Sequence, residues 1–290
     1  MEHVRWHAQP TLRSPTIVAA FTGWNDAADA ASGAVRAMIE GWDAKVLASI
    51  DPEEFTDFAT TRPHVRLSGQ GAREIVWPQT AMWYVSTPGA DVVLLLGPEP
   101  ALRWRLFTEQ IVGVAQQIGA SMLITLGALL ADVSHRRPAQ VIGSATDDDL
   151  LERFDLQRSK YEGPTGIVGV LQHAATESDL KSVGLWAATP AYAAQVTSPK
   201  AALALVQRAT TMIGTPGPIA ALAGEIPGYE SQIDEFVSAD ADLSAYVRRL
   251  EDASDGDDDD TDATPPAMAA PTGDELIQEL EQFLRDQDQG

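Results

Sequence analysis

The feature that most constrains the fold is a short apolar run in the middle of the chain, Met122–Leu126, which Gly127 closes. A continuous run of this length is typical of a strand that lies inside a sheet and is covered on both faces. Polar residues follow within a few positions, among them Asp132 and His135. Because ligand-binding groups in an open parallel sheet collect beyond the carboxyl ends of strands, we take this strand and its loop as the centre of the predicted fold.

Other apolar runs alternate with helical segments along the chain. Thr16–Phe21, an alanine-rich helix over Ala27–Glu40, and Lys45–Ile50 make a predicted βαβ unit. Val92–Leu96 and Val183–Ala188 are further strand candidates, and helical stretches lie between them. This alternation predicts an α/β fold, a three-layer αβα sandwich with a mostly parallel or mixed sheet and helices on both faces.

The pattern is weaker in residues 62–86. We expect a loop over Arg62–Gly71. After it we expect a β-hairpin made of Glu74–Trp77 and Met82–Ser86, because the turn-like Pro78-Gln79-Thr80 lies between these two strand-like stretches.

The distribution of negative charge sets the predicted domain boundaries. The chain carries a net charge of −22, and residues 251–290 contribute −13 of it, with Arg285 as their only basic residue. We therefore predict one α/β domain over residues 1–250, with a helical C-terminal subregion from about 190 to 250. An acidic disordered linker is predicted over residues 251–272.

An amphipathic helix is predicted after that linker, over residues 273–287. Its apolar face consists of Leu276, Ile277, Leu280, Phe283 and Leu284. Because a helix this short is marginal on its own in water, we expect it to dock, either on its own chain or on a partner protein.

The composition excludes several classes of protein. The absence of cysteine excludes disulfides and thiolate metal sites and fits a reducing compartment. We expect a cytoplasmic protein that does not bind membranes, since Met1–Pro10 lacks the apolar core of a signal peptide and no stretch is apolar enough to span a bilayer. The acidic balance disfavours phosphate backbones, so we expect no nucleic-acid partner.

The sequence also lacks the common hydrolase motifs. There is no G-x-S-x-G and no H-E-x-x-H. Three consecutive acids, Asp147–Asp149, are better explained by the positive end of a helix dipole than by a metal site, because consecutive residues do not converge on one ion. We expect no metal, no cofactor and no catalytic residue.

The loop after the central strand carries the first candidate site. His135 lies close to Asp132, and a carboxylate beside a histidine can set the tautomer and pKa that proton transfer needs. Arg136 and Arg137 can hold a carboxylate or a phosphate through paired hydrogen bonds. The alternatives for these residues are a role in loop geometry and a salt bridge between subunits.

Two glycine-containing turns carry the second candidate site. The residues concerned are Gly23, Trp24, Asn25 and Asp26 in the first turn and Gly163, Thr165 and Gly166 in the second. Trp24 can stack on a ligand ring, or it can be a core or interface aromatic. The second turn opens a helix whose free N–H groups can receive an anion, or it is a plain turn in which Thr165 caps the helix.

Six segments occur in order between residues 16 and 250 and carry a family resemblance. They are Phe21–Ala27 (FTGWNDA), Asp51–Phe58 (DPEEFTDF), Gly97–Pro100 (GPEP), Gly127–Pro138 (GALLADVSHRRP), Tyr161–Leu171 (YEGPTGIVGVL) and Ser198–Leu205 (SPKAALAL). Together they resemble the PAC2 (proteasome assembly chaperone 2) family, and specifically its actinobacterial branch.

The resemblance implies a core similar to the nucleoside phosphorylase and peptidyl hydrolase-like fold, with a helical C-terminal part. It also implies self-association, with a trimer as one arrangement, and it carries over no particular enzymatic activity. Family members that dock on proteasome rings often end in a hydrophobic residue, a tyrosine and one further residue. This chain ends in Asp288-Gln289-Gly290, which weakens a direct proteasome role.

The leading hypothesis is therefore a homo-oligomeric, assembly-chaperone-like interaction module without catalytic activity. The alternative is a small-molecule hydrolase or phosphorylase-like enzyme whose site lies at the loops of Trp24, Asp132, His135 and Thr165. A deep pocket that joins these loops would favour the enzyme. Loops that lie apart, or that are filled by a neighbouring subunit's side chains, would count against it.

Overall fold

The computed structural model describes residues 2–69 and 71–254. The helix predicted over 273–287, and all of the predicted linker after residue 254, lie outside the described residues. No helix within the described residues is both long and apolar enough to cross a membrane.

Ten strands and seven helices make up the described part of the chain. The strands are β1 Val4–Trp6, β2 Thr16–Thr22, β3 Lys45–Ile50, β4 His64–Leu67, β5 Arg73–Val76, β6 Thr80–Ser86, β7 Asp91–Pro98, β8 Met122–Ala131, β9 Val141–Ala145 and β10 Ser182–Pro190. The helices are α1 Ala30–Gly41, α2 Trp104–Gln117, α3 Asp148–Phe154, α4 Ile167–Glu177, α5 Pro199–Ile213, α6 Ala220–Ser238 and α7 Ala241–Ser254.

Eight of the strands form one sheet, in the order β1-β3-β6-β7-β2-β8-β10-β9. The four central strands β7, β2, β8 and β10 run parallel to one another, and the outer strands pair antiparallel. The apolar run of the sequence lies in β8, between two parallel neighbours, where its side chains are buried. The predicted α/β fold with a mixed sheet is confirmed.

Helices cover both faces of the sheet because the strand side chains alternate between two cores. On β2, Val18 and Ala20 pack with residues of α1 and α5. Ile17, Ala19 and Phe21 point to the opposite face and pack with α2 and α4. A strand buried on both sides in this way has no polar face, which is why β2 and β8 are continuously apolar.

The C-terminal helices have a small core of their own. Leu222, near the start of α6, belongs to the core of α1 and α5. Tyr229, Ile233 and Val237, further along α6, pack instead with Val247 of α7. Pro227, which has no N–H to donate to the helix, lies between these two parts of α6. Ala193, which follows β10, is buried in the same small core and joins α7 and the second half of α6 to the rest of the fold.

The predicted hairpin of Glu74–Trp77 with Met82–Ser86 is wrong. β5 pairs with β4, which lies in the segment predicted to be a loop. β6 instead enters the main sheet between β3 and β7. An apolar stretch indicates a strand but does not identify the strand that pairs with it. Thr80, Ala81 and Met82 are buried, which fits a strand that has a neighbour on each side.

Candidate functional site

The loop after β8 is held by side chains from the C-terminal third of the same chain. His135 is only 1% exposed. The hydroxyl oxygen of Tyr192 accepts a hydrogen bond from the His135 backbone N–H at 2.9 Å and lies 2.6 Å from its ring Nδ1. The ring Nε2 lies 3.1 Å from Oδ1 of Asp234 in α6. Both ring nitrogens are therefore occupied by groups of this chain.

These contacts fix the tautomer of His135. A carboxylate oxygen of Asp234 can only accept, so Nε2 carries the proton and donates it. Nδ1 is then the acceptor, and the Tyr192 hydroxyl donates to it. Burial lowers the pKa of His135 by more than the hydrogen bond to Asp234 raises it. The ring is therefore neutral at pH 7.

Arg136 joins the same loop to both C-terminal helices. Its Nε and Nη2 donate to Oδ1 of Asp234 at 2.9 and 2.6 Å. Its Nη1 donates to Oε1 and Oε2 of Glu251 in α7 at 3.3 and 3.4 Å, and the Ser134 hydroxyl donates to Oε1 of Glu251 at 3.0 Å. Burial acts to raise the pKa of Asp234, but the hydrogen bonds from Arg136 and His135 lower it overall.

Two more contacts complete this arrangement. Oδ1 of Asp132 accepts a hydrogen bond from the Tyr246 hydroxyl at 2.7 Å, which raises the pKa of Tyr246 to about 12. Lys200 at the start of α5 donates to the backbone carbonyl of His135 at 2.7 Å and pairs with Glu230 of α6. We call the whole set the C-terminal clasp: Asp132, Ser134, His135 and Arg136 in the loop, with Tyr192, Lys200, Glu230, Asp234, Tyr246 and Glu251 as their partners.

The clasp differs from the predicted acid–base pair. The carboxylate on His135 is that of Asp234, whereas Asp132 binds Tyr246. Arg136 forms ion pairs within its own chain. Arg137 lies in the same turn, where its backbone N–H donates to the Ser134 carbonyl at 3.2 Å. Tyr192, Asp234 and Glu251 carry no sequence signal that would have paired them with this loop, because they lie 57 to 117 positions away from their partners.

The two glycine-containing turns form a second cluster, centred on Glu99 at the end of β7. The Asn25 side chain donates to Oε1 of Glu99 at 2.7 Å, and the backbone N–H of Ile167, the first residue of α4, donates to the same oxygen at 2.8 Å. A Cβ at Gly166 would lie 2.2 Å from the Asn25 amide oxygen. The anion at the N-terminus of α4 is therefore the chain's own Glu99, and the predicted anion site is filled.

Thr165 does not cap α4. The N-cap residue is Gly166, which has no side chain to accept a hydrogen bond. The Thr165 hydroxyl instead lies over the first helical turn, where a Cβ on Gly169 would be 2.1 Å from it. Glu99 was not singled out from the sequence as a site residue, although it lies in the GPEP segment.

Asp26 and Asn25 lie buried beside this cluster. Oδ1 of Asp26 accepts from the backbone N–H of Ser32 in α1 at 2.9 Å, and burial raises the pKa of Asp26 overall. Its other oxygen and the Asn25 amide oxygen have no protein partner within the described residues. Neither atom is exposed. Trp24, in contrast, is 50% exposed.

Two cavities of the described residues lie elsewhere. One of about 550 Å³ is a wide depression at the C-terminal end of α5, lined by residues that include Thr210, Thr211 and Ile219. Another of about 10 Å³ lies between Phe55 and Phe107. Neither is lined by Trp24, Asp132, His135 or Thr165. No group of three potential metal ligands converges within residues 2–69 and 71–254.

Comparison with known proteins identifies the family. Residues 20–237 match the PAC2 family. The chain belongs to the PAC2 family. A PAC2 family protein from Streptomyces avermitilis is 41% identical, with a TM-score of 0.74, over 80% of this chain and 99% of that one. The Mycobacterium tuberculosis proteasome-assembly chaperone homologue Rv2125 is 38% identical, with a TM-score of 0.72 and the same coverage. Both relatives are actinobacterial, as the sequence resemblance indicated.

The PAC2 fold extends to archaeal proteins. PbaB of Pyrococcus furiosus, described as an archaeal proteasome activator, is 15% identical with a TM-score of 0.66, over 80% of this chain and 97% of that one. At this identity the likeness concerns the fold alone. No curated protein matches the sequence.

Proposed function

We propose that this PAC2 protein is a homo-oligomeric interaction module with an assembly-chaperone-like role. The observation that carries the proposal is the C-terminal clasp. The polar side chains of the loop Asp132–Arg136 form their hydrogen bonds and ion pairs with residues of the same chain, chiefly in α6 and α7. His135 in particular is buried and bonded at both ring nitrogens.

A general base must reach the proton that it removes, within hydrogen-bond distance of a bound substrate. His135 offers no free nitrogen for that purpose while the clasp is closed. The polar groups of the second cluster are likewise bonded to one another, because Glu99 accepts hydrogen bonds from Asn25 and from the start of α4. Both sets of polar residues therefore support a role in holding the fold.

One of the relatives supports the assembly-chaperone-like part of the proposal. The Mycobacterium tuberculosis relative is described as a homologue of a proteasome-assembly chaperone. By analogy, we infer that the present chain binds subunits of a larger assembly in the cytoplasm and forms an oligomer itself, with a trimer as the arrangement that the family resemblance implies. The amphipathic segment over 273–287 is the proposed contact with the partner.

An assembly experiment tests the proposal. Purified proteasome α-type subunits from the same organism are mixed with the full-length chain, and ring formation is followed by native mass spectrometry. We expect a complex between the two proteins and faster ring formation than without the chain. Absence of a complex at tens of micromolar, together with unchanged ring formation, would contradict a role in proteasome assembly.

Two matched variants test the proposed partner helix. Leu280→Glu with Phe283→Glu places two charges on the predicted apolar face, and we expect it to weaken the complex. Gln278→Glu with Gln282→Glu adds the same charge on the opposite face and serves as the control. Equal effects of both variants would show that charge alone matters and would exclude this helix as the contact.

A further inference from the structure

The two-stranded ribbon of β4 and β5 exposes a concentrated apolar surface. All eight of its residues are exposed. Val65 lies opposite Ile75, and Leu67, which is 67% exposed, lies opposite Arg73. Because directly opposite residues point to the same side, these four form one face of the ribbon. Arg66 and Glu74 form a 3.2 Å ion pair on the other face.

A partner that covers the ribbon would stabilise it. Two strands on their own are at best marginally stable in water, and β4 and β5 pair only with each other within the described residues. Contiguous exposed apolar surface of this kind marks interaction sites in folded proteins. A partner that must cover the ribbon whenever the chain is folded is most simply another copy of the chain, which is always present at the same concentration.

The charge of the ribbon is opposite to that of the molecule. Residues 62–77 contain three arginines and one glutamate, whereas the whole chain carries −22. The complementary surface should therefore combine acidic side chains with exposed apolar ones. It should also lie at a different place on the chain from the ribbon, since two copies of the basic ribbon would repel each other.

Helix α6 has these properties. It contains four acidic residues and no lysine or arginine; Glu230 and Asp234 belong to the clasp, and Glu225 and Glu235 are exposed. Phe236 on this helix is 56% exposed, which is among the largest exposures of an aromatic side chain in the described residues. Glu235, the residue before Phe236 in α6, is exposed as well.

We propose that the ribbon of one copy docks on the Phe236 surface of α6 in a second copy. Val65, Leu67 and Ile75 pack against Phe236, and Arg73 faces Glu235. The inference rests on the proposed self-association and specifies its contact. Because the two surfaces differ, the contact is head-to-tail and closes into a ring when the rotation between neighbours allows it.

Sedimentation of the full-length chain over a range of concentrations tests the contact. Leu67→Asp and Phe236→Asp are each expected to raise the dissociation constant of the oligomer by at least about tenfold. Leu102→Ser is the control, since Leu102 is 49% exposed but belongs to neither surface. All three side chains are exposed, so loss of folding is not the expected cause of an effect, and circular dichroism checks this.

A charge exchange tests the orientation of the contact. Arg73→Glu and Glu235→Arg should each weaken the oligomer, and the double variant should recover most of the loss. Failure of the double variant to recover overturns the pairing. If Leu67→Asp weakens the oligomer and Phe236→Asp does not, the assignment of the docking surface to α6 is overturned. An oligomer that none of these variants changes overturns the contact but leaves self-association standing, whereas a monomeric wild-type protein contradicts the proposed self-association itself.

Discussion

His135 illustrates how a single residue can look catalytic in a sequence and be structural in the fold. A histidine near acids and arginines is the pattern of an acid–base site. In the structure its ring is a buried, neutral connector between Tyr192 and Asp234. The sequence predicted that the loop after β8 matters, but it could not predict the contacts, because the partners lie 57 to 117 positions further along the chain.

The neutral state of His135 predicts a pH dependence of stability. Burial lowers the pKa of His135 in the folded protein below its unfolded value, so the unfolded chain binds the proton first as the pH falls. The stabilising contribution is complete above the unfolded pKa of about 6.5 and decreases below it, by at most about 1.4 kcal/mol per pH unit.

Urea unfolding between pH 7.5 and 5 of the wild type and of His135→Gln measures this contribution. The difference in free energy of unfolding between the two proteins should shrink as the pH falls. Asp234 does not contribute to the pH dependence between pH 7.5 and 5, because its pKa in the folded protein is lowered and lies below this range. A difference that stays constant from pH 7.5 to 5 would show that His135 titrates alike in both states.

Gly166 is a second residue whose role depends on a close contact. A Cβ there would lie 2.2 Å from the Asn25 amide oxygen, so Gly166→Ala must displace Asn25 from Glu99. We expect a loss of about 1–3 kcal/mol in the free energy of unfolding, measured by urea denaturation. Gly224→Ala is the control. It has open space around the new Cβ and lies within α6, where alanine should stabilise by about 0.5–1 kcal/mol.

At the level of elements, continuous apolar runs predicted β2 and β8 well, because a strand buried on both faces leaves a plain signal. The pairing of β4 with β5 was not predictable in the same way. Its residues are exposed on both faces, so no burial pattern marks them. The attachment of α7 and of the second half of α6 was also not predicted, because the clasp consists of single polar contacts with no periodicity and the apolar contact comes from Ala193, in a separate segment.

The contacts of the clasp predict that Arg136 protects α7 from local unfolding. Replacement by methionine removes the ion pairs to Asp234 and Glu251, which are partly exposed and worth at most about 1 kcal/mol. Hydrogen exchange should therefore become about two- to fivefold faster in α7, with α2 unchanged. Arg158→Met, which removes an exposed ion pair to Asp148, should leave α7 unaffected. Equal protection of α7 in all three proteins would contradict the role of the clasp.

At the level of the whole molecule, polar side chains hold the loops at the sheet edge, and a basic, apolar ribbon stands exposed. The proposed function assigns this exposed surface to contacts with other proteins. The family resemblance implied self-association, and the sequence offered Trp24 and the arginines after β8 as interface candidates but not the ribbon. The ribbon was missed because the strand pairing of residues 62–86 was predicted wrongly.

Native mass spectrometry of the full-length protein at micromolar concentration tests the central claim most directly. The account predicts a discrete assembly whose mass is a whole-number multiple of the 31.0 kDa chain. A protein that remains a single chain at every concentration would contradict it.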